Sequence, residues 1–501
     1  MSDCRLRIIL LAGFALRLVL ILTAGPGTVC TPDSSDYIVL GGEMATEGQF
    51  VRNTRLWGRQ PEIFRTPGYP AYLSLGHLAA GTPAGWAEWA DEEAPAHQPD
   101  WPMALARRPT PELGVSGWGP GHVWISVPQP LWWVLLLGQA LADVALVAMV
   151  YYLALHIGLG AKAALLAAGF QAASPLMIAS SVRLLSDTFY AVLLGATLLA
   201  WLKASQTGRW KWGALAGLLL GLGAYTRPIA QVAAVVLGVG LLPGRHRGRR
   251  VGAFAAAFLL AIAPWVARNA VVADYPGFSS YATDAMYYFA LPAVSQRARR
   301  GTYHVQYDFL AHQQMVVFHE VKYGPGQEAS PGDRARWRTE FAAAAMKGQA
   351  ADYAYLHLTG MWGVFLPGAT DVLEVAGVTR GQKGTLEVLR GQGFVAAVKH
   401  YFGSRTGALL GGMAMTALLG IKYLGVLLCL LLRGLRRQPA EVWVLGALVV
   451  VTIILPGPFG LPRYRIPIEG LLSVAAAAGL AAASRRFGRG RLADAEEKTA
   501  P

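Results

Sequence analysis

The sequence predicts an all-α polytopic membrane protein, a bundle of about ten or more transmembrane helices with two large outer loops. Three observations predict it. Apolar runs near twenty residues recur along a chain of 501 residues that is 54% hydrophobic and only 15% charged, and about 20 apolar residues is what a helix needs to cross a bilayer. Lysine and arginine gather in short loops after every second run, as cytoplasmic loops require. Two long stretches interrupt the pattern, one after the first span and one after the seventh. The net charge of +14 is then a topology signal and not a nucleic-acid footprint.

The first span covers roughly Leu6 to Thr23. It is too long for a removable signal peptide and has no clean cleavage site. Arg17 within it is costly in hydrocarbon, so it either has a partner or snorkels to the interface. The stretch from Gly25 to Gln129 follows. Within it Ala71 to Ala80 reads as a short helix on the membrane surface, and Gly81 to Pro130 is a Pro-, Gly- and Trp-rich insertion with an acidic patch at Asp91, Glu92 and Glu93 whose composition resists a packed core. The second span runs from about Leu131 to His156 and carries Asp143; the third runs from about Ala161 to Ala179. A tight turn from Ser180 to Asp187 places Arg183 and Asp187 four apart, and the fourth span continues from Thr188 to Leu202. The fifth, Gly213 to Ala224, is short, Gly-rich and ends in Tyr225-Thr226-Arg227-Pro228, a pattern that reads as a broken or re-entrant helix near a site.

The sixth span reaches Leu242 and is followed by Arg245, Arg247, Arg249 and Arg250. The seventh, Val251 to Val266, ends in Pro264-Trp265-Val266-Ala267-Arg268-Asn269, an aromatic and cationic interface signature. From Ala270 to Ser404 the chain is less apolar, with pieces such as Tyr353 to Leu366 that read as helices on the outer face. The eighth span, Thr406 to Leu432, contains Lys422 and precedes Arg433, Arg436 and Arg437; the ninth is Val442 to Leu455; the tenth, Ile468 to Ala483, ends in Arg485-Arg486. Asp143 and Lys422 read as intramembrane polar partners rather than catalysts. Four units follow: an N-terminal transmembrane half over 1–268 with its first outer loop at 25–130, an outer segment over 269–404, C-terminal spans over 405–485 and a cytoplasmic tail over 486–501.

This parity puts one set of charged turns together on the outer side. The first outer loop holds Pro32-Asp33-Ser34-Ser35-Asp36-Tyr37 and then Arg65-Thr66-Pro67-Gly68-Tyr69-Pro70. Thr31 suits an N-cap and Pro32 the first helical position. Asp33 then lies in the first turn, where the helix dipole favours an ionised carboxylate. Asp33, Asp36 and Tyr37 share one face at i, i+3 and i+4. An ionised acid beside a second acid is a workable general base; the plainer reading is that both acids cap a surface helix. Arg227, Arg268 and Arg463 read either as phosphate ligands or as headgroup anchors. Asp187 reads as a second acid or as a partner of Arg183. His304, His312 and His319 lie at roughly helical spacing but read as solvated or core histidines. Cys4, Cys30 and Cys429 have no metal or disulfide spacing.

These motifs, in this order, resemble the GT-C membrane glycosyltransferases, in the branch of protein O-mannosyltransferases and lipid A aminoarabinose transferases. The most specific piece is Asp33 with Tyr37, followed by Arg65-Thr66-Pro67-Gly68-Tyr69-Pro70; Pro175 through Ser186-Asp187, Gly217 to Pro228, Pro264-Trp265 with Arg268-Asn269, and Arg463-Tyr464-Arg465-Ile466-Pro467 support it. The resemblance implies an inverting transfer from a polyprenyl-phosphate sugar to an envelope glycan, lipid or protein hydroxyl. It implies catalytic roles for Asp33, Asp36 and Asp187, donor-phosphate contacts from Arg65, Arg227, Arg268 and Arg463, and substrate positioning by Tyr37, Tyr69 and Tyr464. Ser34 stands where some members carry a second acid, so a divalent metal is left open. The Ala-, Gly- and Arg-rich composition points to a bacterial cytoplasmic membrane, with the site facing outside or the periplasm. The competing classes are a transporter or flippase of lipid-linked sugars, which would show midplane charges and internal repeats, and a non-catalytic scaffold that uses the insertion to bind a partner.

Overall fold

A computed structural model describes residues 2–24, 31–54, 58–81, 129–243, 247–299, 315–324, 329–378, 388, 391–402, 406–432 and 438–497. Most of the insertion, including Asp91, Glu92 and Glu93, lies outside the described residues, as do Cys30, Arg245, His304, His312, Arg433, Arg436, Arg437 and the side chain of His319.

The architecture is helical, as the apolar pattern predicts. Helix α1 (Ser2–Thr23) leads to α2 (Pro32–Glu47), a hairpin of β1 (Val51–Thr54) and β2 (Gly58–Pro61), and α3 (Gly68–Ala80). Then come α4 (Gln129–His156), α5 (Ala161–Ala172), α6 (Pro175–Val182), α7 (Asp187–Thr207), α8 (Trp210–Thr226), α9 (Ala230–Gly240) and α10 (Arg247–Ala273). After the shorter helices of the 269–404 segment the bundle closes with α11 (Thr406–Leu432), α12 (Ala440–Ile454) and α13 (Glu469–Glu497). Among the described residues six helices are long and apolar enough to cross a membrane: Cys4–Thr23, Trp133–His156, Asp187–Thr207, Arg247–Ala273, Thr406–Leu432 and Pro462–Arg486. The pair α5 and α6, bent by 50°, makes a seventh if it is one span, and α9 and α12 are apolar but shorter. Each predicted span has a helical counterpart, though several fall short of a full crossing.

Several local expectations are corrected. The Gly-rich fifth span is not broken: α8 is continuous from Trp210 to Thr226. Its glycines serve close approach instead. A Cβ on Gly217 would stand 2.1 Å from the Phe254 carbonyl oxygen, and Gly213 and Gly221 meet Arg250 and Ala261 along the same edge, the way small residues let membrane helices touch. The break lies in the third span, between α5 and α6. The helix of the seventh predicted span, α10, runs through Pro264 to Ala273. The predicted surface helix at Ala71 starts earlier, at Gly68, and buries Tyr69 and Leu73 against α2. The tail is helical as far as Glu497. The hairpin was not anticipated; its register sets Val51 opposite Pro61 and Thr54 opposite Gly58.

The intramembrane charges are paired. Arg17 does not snorkel: its Nε donates to Asp143 Oδ2 at 2.7 Å, and both side chains are fully buried. Lys422 meets Glu469 at 2.7 Å. Arg183 does not pair with Asp187 but donates to Asp371 and Glu374, each at 2.5 Å.

Candidate active site

The site is built where several helix ends converge. Thr31 is the N-cap of α2 and forms a capping box with Ser34: Ser34 N donates to Thr31 Oγ1 and Thr31 N donates to Ser34 Oγ at 2.8 Å. Ser34 thus closes the cap, and Asp33 stands in the first turn as expected. The Arg65 turn is pressed against the end of α8, because a Cβ on Gly68 would lie 2.7 Å from the Tyr225 carbonyl oxygen. Only glycine permits that approach, and it brings Arg65 and Arg227 to one place.

Carboxylate and guanidinium then alternate without a gap. Glu62 Oε1 accepts from the backbone N–H groups of Phe64 (2.5 Å) and Arg65 (2.9 Å), which shapes the turn. Arg52 donates to the other Glu62 oxygen and to Asp36 Oδ1 at 3.2 Å. Arg65 bridges Asp36 Oδ2 (2.9 Å) and Asp33 Oδ1 (2.7 Å). Arg463 bridges Asp33 Oδ2 (2.6 Å) and Asp187 Oδ2 (3.4 Å). Arg227 ends the row on Asp187 Oδ1. The sequence places these groups in four separate stretches; the fold makes them one row. Such a row tolerates burial because each charge has an opposite neighbour.

The row is not uniformly closed. Asp187 is fully buried and Asp36 is 6% exposed, whereas Asp33 keeps 29% and Arg463 24%. Asp33 and Arg463 are therefore the most open members of the row. Arg463 Nε is buried and has no hydrogen-bond partner among the described residues, a donor that calls for an acceptor. Burial would push the Asp33 carboxyl up, but Arg65 and Arg463 outweigh it and hold it well below the usual carboxylate range. Arg65 is desolvated too, yet Asp33, Tyr37 and Asp36 keep it firmly protonated.

The other predicted residues divide. Tyr37 Oη hydrogen-bonds Ser186 Oγ at 3.1 Å, and the Arg65 guanidinium lies 5.1 Å from its ring centroid. Tyr464 lies under Arg227, 5.9 Å from guanidinium to ring centroid, and interacts with Tyr281. Tyr69 is fully buried and donates to Gln139 at 2.9 Å, so it orients α3 and reaches no open face. Arg268 is apart from the row. Its guanidinium donates to the backbone oxygens of Glu62 (2.8 Å) and Phe50 (2.6 Å) and so brackets the hairpin. Sequence reasoning missed Arg52, Glu62 and Tyr281. Tyr281 stacks on Phe64 at 5.3 Å, and the segment carrying it clamps the Arg65 turn through Ser280 N to Ile63 O. Burial pushes the Tyr281 hydroxyl up, so it stays a neutral donor. Among the described residues no group of three or more His, Cys, Asp or Glu is arranged to hold a metal.

Residues 129–268 match the family described as dolichyl-phosphate-mannose-protein mannosyltransferase, a stretch that contains Asp187, Arg227 and Arg268. The fold is similar to the crystal structure of the apo oligosaccharyltransferase of Archaeoglobus fulgidus, with a TM-score of 0.52 and 15% identity over 99% of this chain and 52% of that one. The chain thus spans about half the length of that protein. ArnT from Cupriavidus metallidurans aligns at a TM-score of 0.36 both in the apo state (13% identity, 93% of this chain and 76% of that chain) and bound to undecaprenyl phosphate (16%, 98% and 80%). No curated protein matches the chain. The likeness to the oligosaccharyltransferase structure is one of fold, and the fold is that of a helical protein with six or more helices long and apolar enough to cross a membrane.

Proposed function

We propose that the chain is an inverting glycosyltransferase that moves a hexosyl or pentosyl group from a polyprenyl-phosphate donor to a hydroxyl of an envelope glycan, lipid or protein, on the outer face of a bacterial cytoplasmic membrane. The observation that carries this reading is Asp33, the open carboxylate of the row, held between Arg65 and Arg463 with Arg227 beyond Asp187. A base for the acceptor and cations for a leaving phosphate are the two things the reaction needs. The acceptor O–H proton passes to Asp33. The acceptor oxygen attacks the anomeric carbon from the face opposite the phosphate, the bond from that carbon to the phosphate oxygen breaks, and its electron pair leaves with polyprenyl phosphate. Arginine's planar fork suits the charge that develops there, and Arg463 Nε, without a hydrogen-bond partner among the described residues, offers it a donor. The family match over 129–268 supports a lipid-linked donor.

A carrier of lipid-linked sugars would need ionisable groups open at the midplane. Two pairs inside the spans, Arg17 with Asp143 and Lys422 with Glu469, are closed on each other and 2% exposed or less. The test is sugar transfer by the purified protein in nanodiscs, from a panel of polyprenyl-phosphate sugars, beside mass spectrometry of envelope glycans from a deletion strain. Transfer that disappears in Asp33→Asn supports the reading; a wild-type protein that flips but never cleaves these donors refutes it.

A further inference from the structure

Glu469 opens the helix that follows the Arg463 turn. It is 1% exposed, and its carboxylate accepts from three different elements. Oε1 takes Lys422 Nζ of α11 at 2.7 Å and Ser174 Oγ at 2.8 Å; Oε2 takes Arg465 Nε at 2.8 Å. Arg465, also 1% exposed, carries the hold further: its Nη1 donates to the Val364 oxygen (2.6 Å), the Leu366 oxygen (3.0 Å) and Tyr423 Oη (2.8 Å).

Both ends of this hub lead to the acid–arginine row. On one side Arg465 sits in the same short 3₁₀ turn, Pro462–Ile468, as Arg463. On the other, Ser174 is the N-cap of α6, and the chain runs from the end of α6 through a short turn to Asp187. One anion therefore fixes both the segment that presents Arg463 and the break in the third span that aims Asp187. The two meet at 3.4 Å beside Asp33. Packing alone does not ask for this arrangement, because buried ion clusters are often replaceable by apolar groups without loss of stability.

We propose that Glu469 is a positioning residue, whose buried carboxylate sets the placement of Arg463 and Asp187 around Asp33 while touching neither substrate nor reacting atoms. The proposal rests on reading that row as a transferase site. Arg65 and Arg463 contact Asp33 directly; Asp36, Tyr37, Asp187, Arg227 and Tyr464 are the other ionisable groups linked to those contacts. If Arg463 drifts, Asp33 loses one of its two cations and its carboxyl titrates at higher pH.

The experiment compares wild type, Glu469→Gln, Glu469→Asp, Ser174→Ala and Asp33→Asn in nanodiscs, measuring kcat, donor KM and the pH profile of kcat/KM. Glu469→Gln is expected to lower kcat at least about tenfold through misplacement of Arg463, and Ser174→Ala about fivefold through loss of one buried hydrogen bond. In both, the acid limb of kcat/KM moves to higher pH, and Glu469→Asp recovers part of kcat. Should Glu469→Gln fail to fold, Ser174→Ala carries the same readouts. Normal kcat with an unmoved acid limb in the folded variants overturns the positioning role, as does activity lost only in proportion to the unfolded fraction. A wild-type protein that transfers no sugar overturns the functional reading and this proposal with it; an active wild type with indifferent variants overturns this proposal alone.

Discussion

Asp33 and Arg463 stand 430 positions apart in the sequence and pair at 2.6 Å. With Arg65 on the other oxygen at 2.7 Å, the carboxylate is ionised at every working pH but is a weak base. That is a poor resting state for proton abstraction and a good one for control. A phosphate entering the site competes for the same guanidiniums, and each hydrogen bond it draws from Asp33 returns basicity to the carboxylate. On the proposed function, base strength would in this way be tied to donor occupancy.

Arg65 is the first place to test that coupling. It lowers the Asp33 carboxyl, against burial that raises it. Removing it leaves the burial and only one cation, so the folded-state pKa of Asp33 rises. Arg65→Ala should then lose activity as pH falls through a range where wild type is flat, with an acid limb in kcat/KM at higher pH than wild type. Loss of a charge-assisted contact, worth roughly 1.5–3 kcal/mol, should also weaken donor binding about ten- to a hundredfold. Arg65→Lys should recover part of the affinity, because one ammonium cannot reproduce the fork that spans Asp33 and Asp36. An Arg65→Ala variant with wild-type donor affinity and a flat profile would remove Arg65 from the site.

The Arg17–Asp143 pair makes a prediction about stability alone. Both side chains are fully buried. Asp143→Leu strands a guanidinium in the bundle, a change that costs about 3–5 kcal/mol when a buried pair is broken. Thermal unfolding in one detergent should show that loss, and the double variant Arg17→Leu with Asp143→Leu should regain most of it. Additive losses in the double variant would mean that the two residues act independently.

These pairs show what the sequence could and could not convey. The parity of basic loops puts Asp33, Arg65, Asp187, Arg227 and Arg463 at one end of the bundle, and the structure joins those five in one row. Parity says nothing about partners, so Arg52 and Glu62 went unseen: they sit on and beside four-residue strands, too short for a periodic signal. Arg268 has the same interface signature as the others, yet its guanidinium is spent on the Phe50 and Glu62 backbone oxygens that flank the hairpin. Glycines are ambiguous for a physical reason. A broken helix and a close helix crossing both call for small residues, and only the neighbour at Phe254 decides that α8 is the second kind.

His77 gives the fold a pH dependence with a definite sign. It lies in α3, 2% exposed; burial outweighs a hydrogen bond to the Ile38 backbone and lowers its pKa from 6.5 to about 4. The unfolded chain takes up a proton near pH 6.5 that the folded chain refuses until about pH 4. Stability is therefore full above the first value and declines as pH falls toward the second, by up to about 3 kcal/mol. The melting temperature of His77→Leu should fall less between about pH 7 and pH 4.5 than that of wild type. Parallel pH curves for the two proteins would show that His77 is not the group responsible.

Asp33 carries the functional claim, and the geometry ranks it against its neighbours. Asp187 is fully buried, Asp36 is 6% exposed and Asp33 is 29% exposed, so an acceptor hydroxyl has access to Asp33 alone among the three. Asp33→Asn keeps the shape and removes the basicity. General-base catalysis is worth about 10²–10⁴-fold, so turnover should fall at least about a hundredfold. Folding should survive, because Asp36 still engages Arg65 and Asp187 still engages Arg463. Asp36→Asn should do less, since it loosens the hold on Arg65 without touching the proton in flight. Asp187→Asn should act on donor binding, through Arg227 and Arg463. Sugar transfer from a polyprenyl-phosphate donor by purified variants, with donor affinity measured separately, distinguishes these roles. Normal turnover in Asp33→Asn beside a dead Asp36→Asn would exchange the two assignments; normal turnover in both would move the base to Asp187.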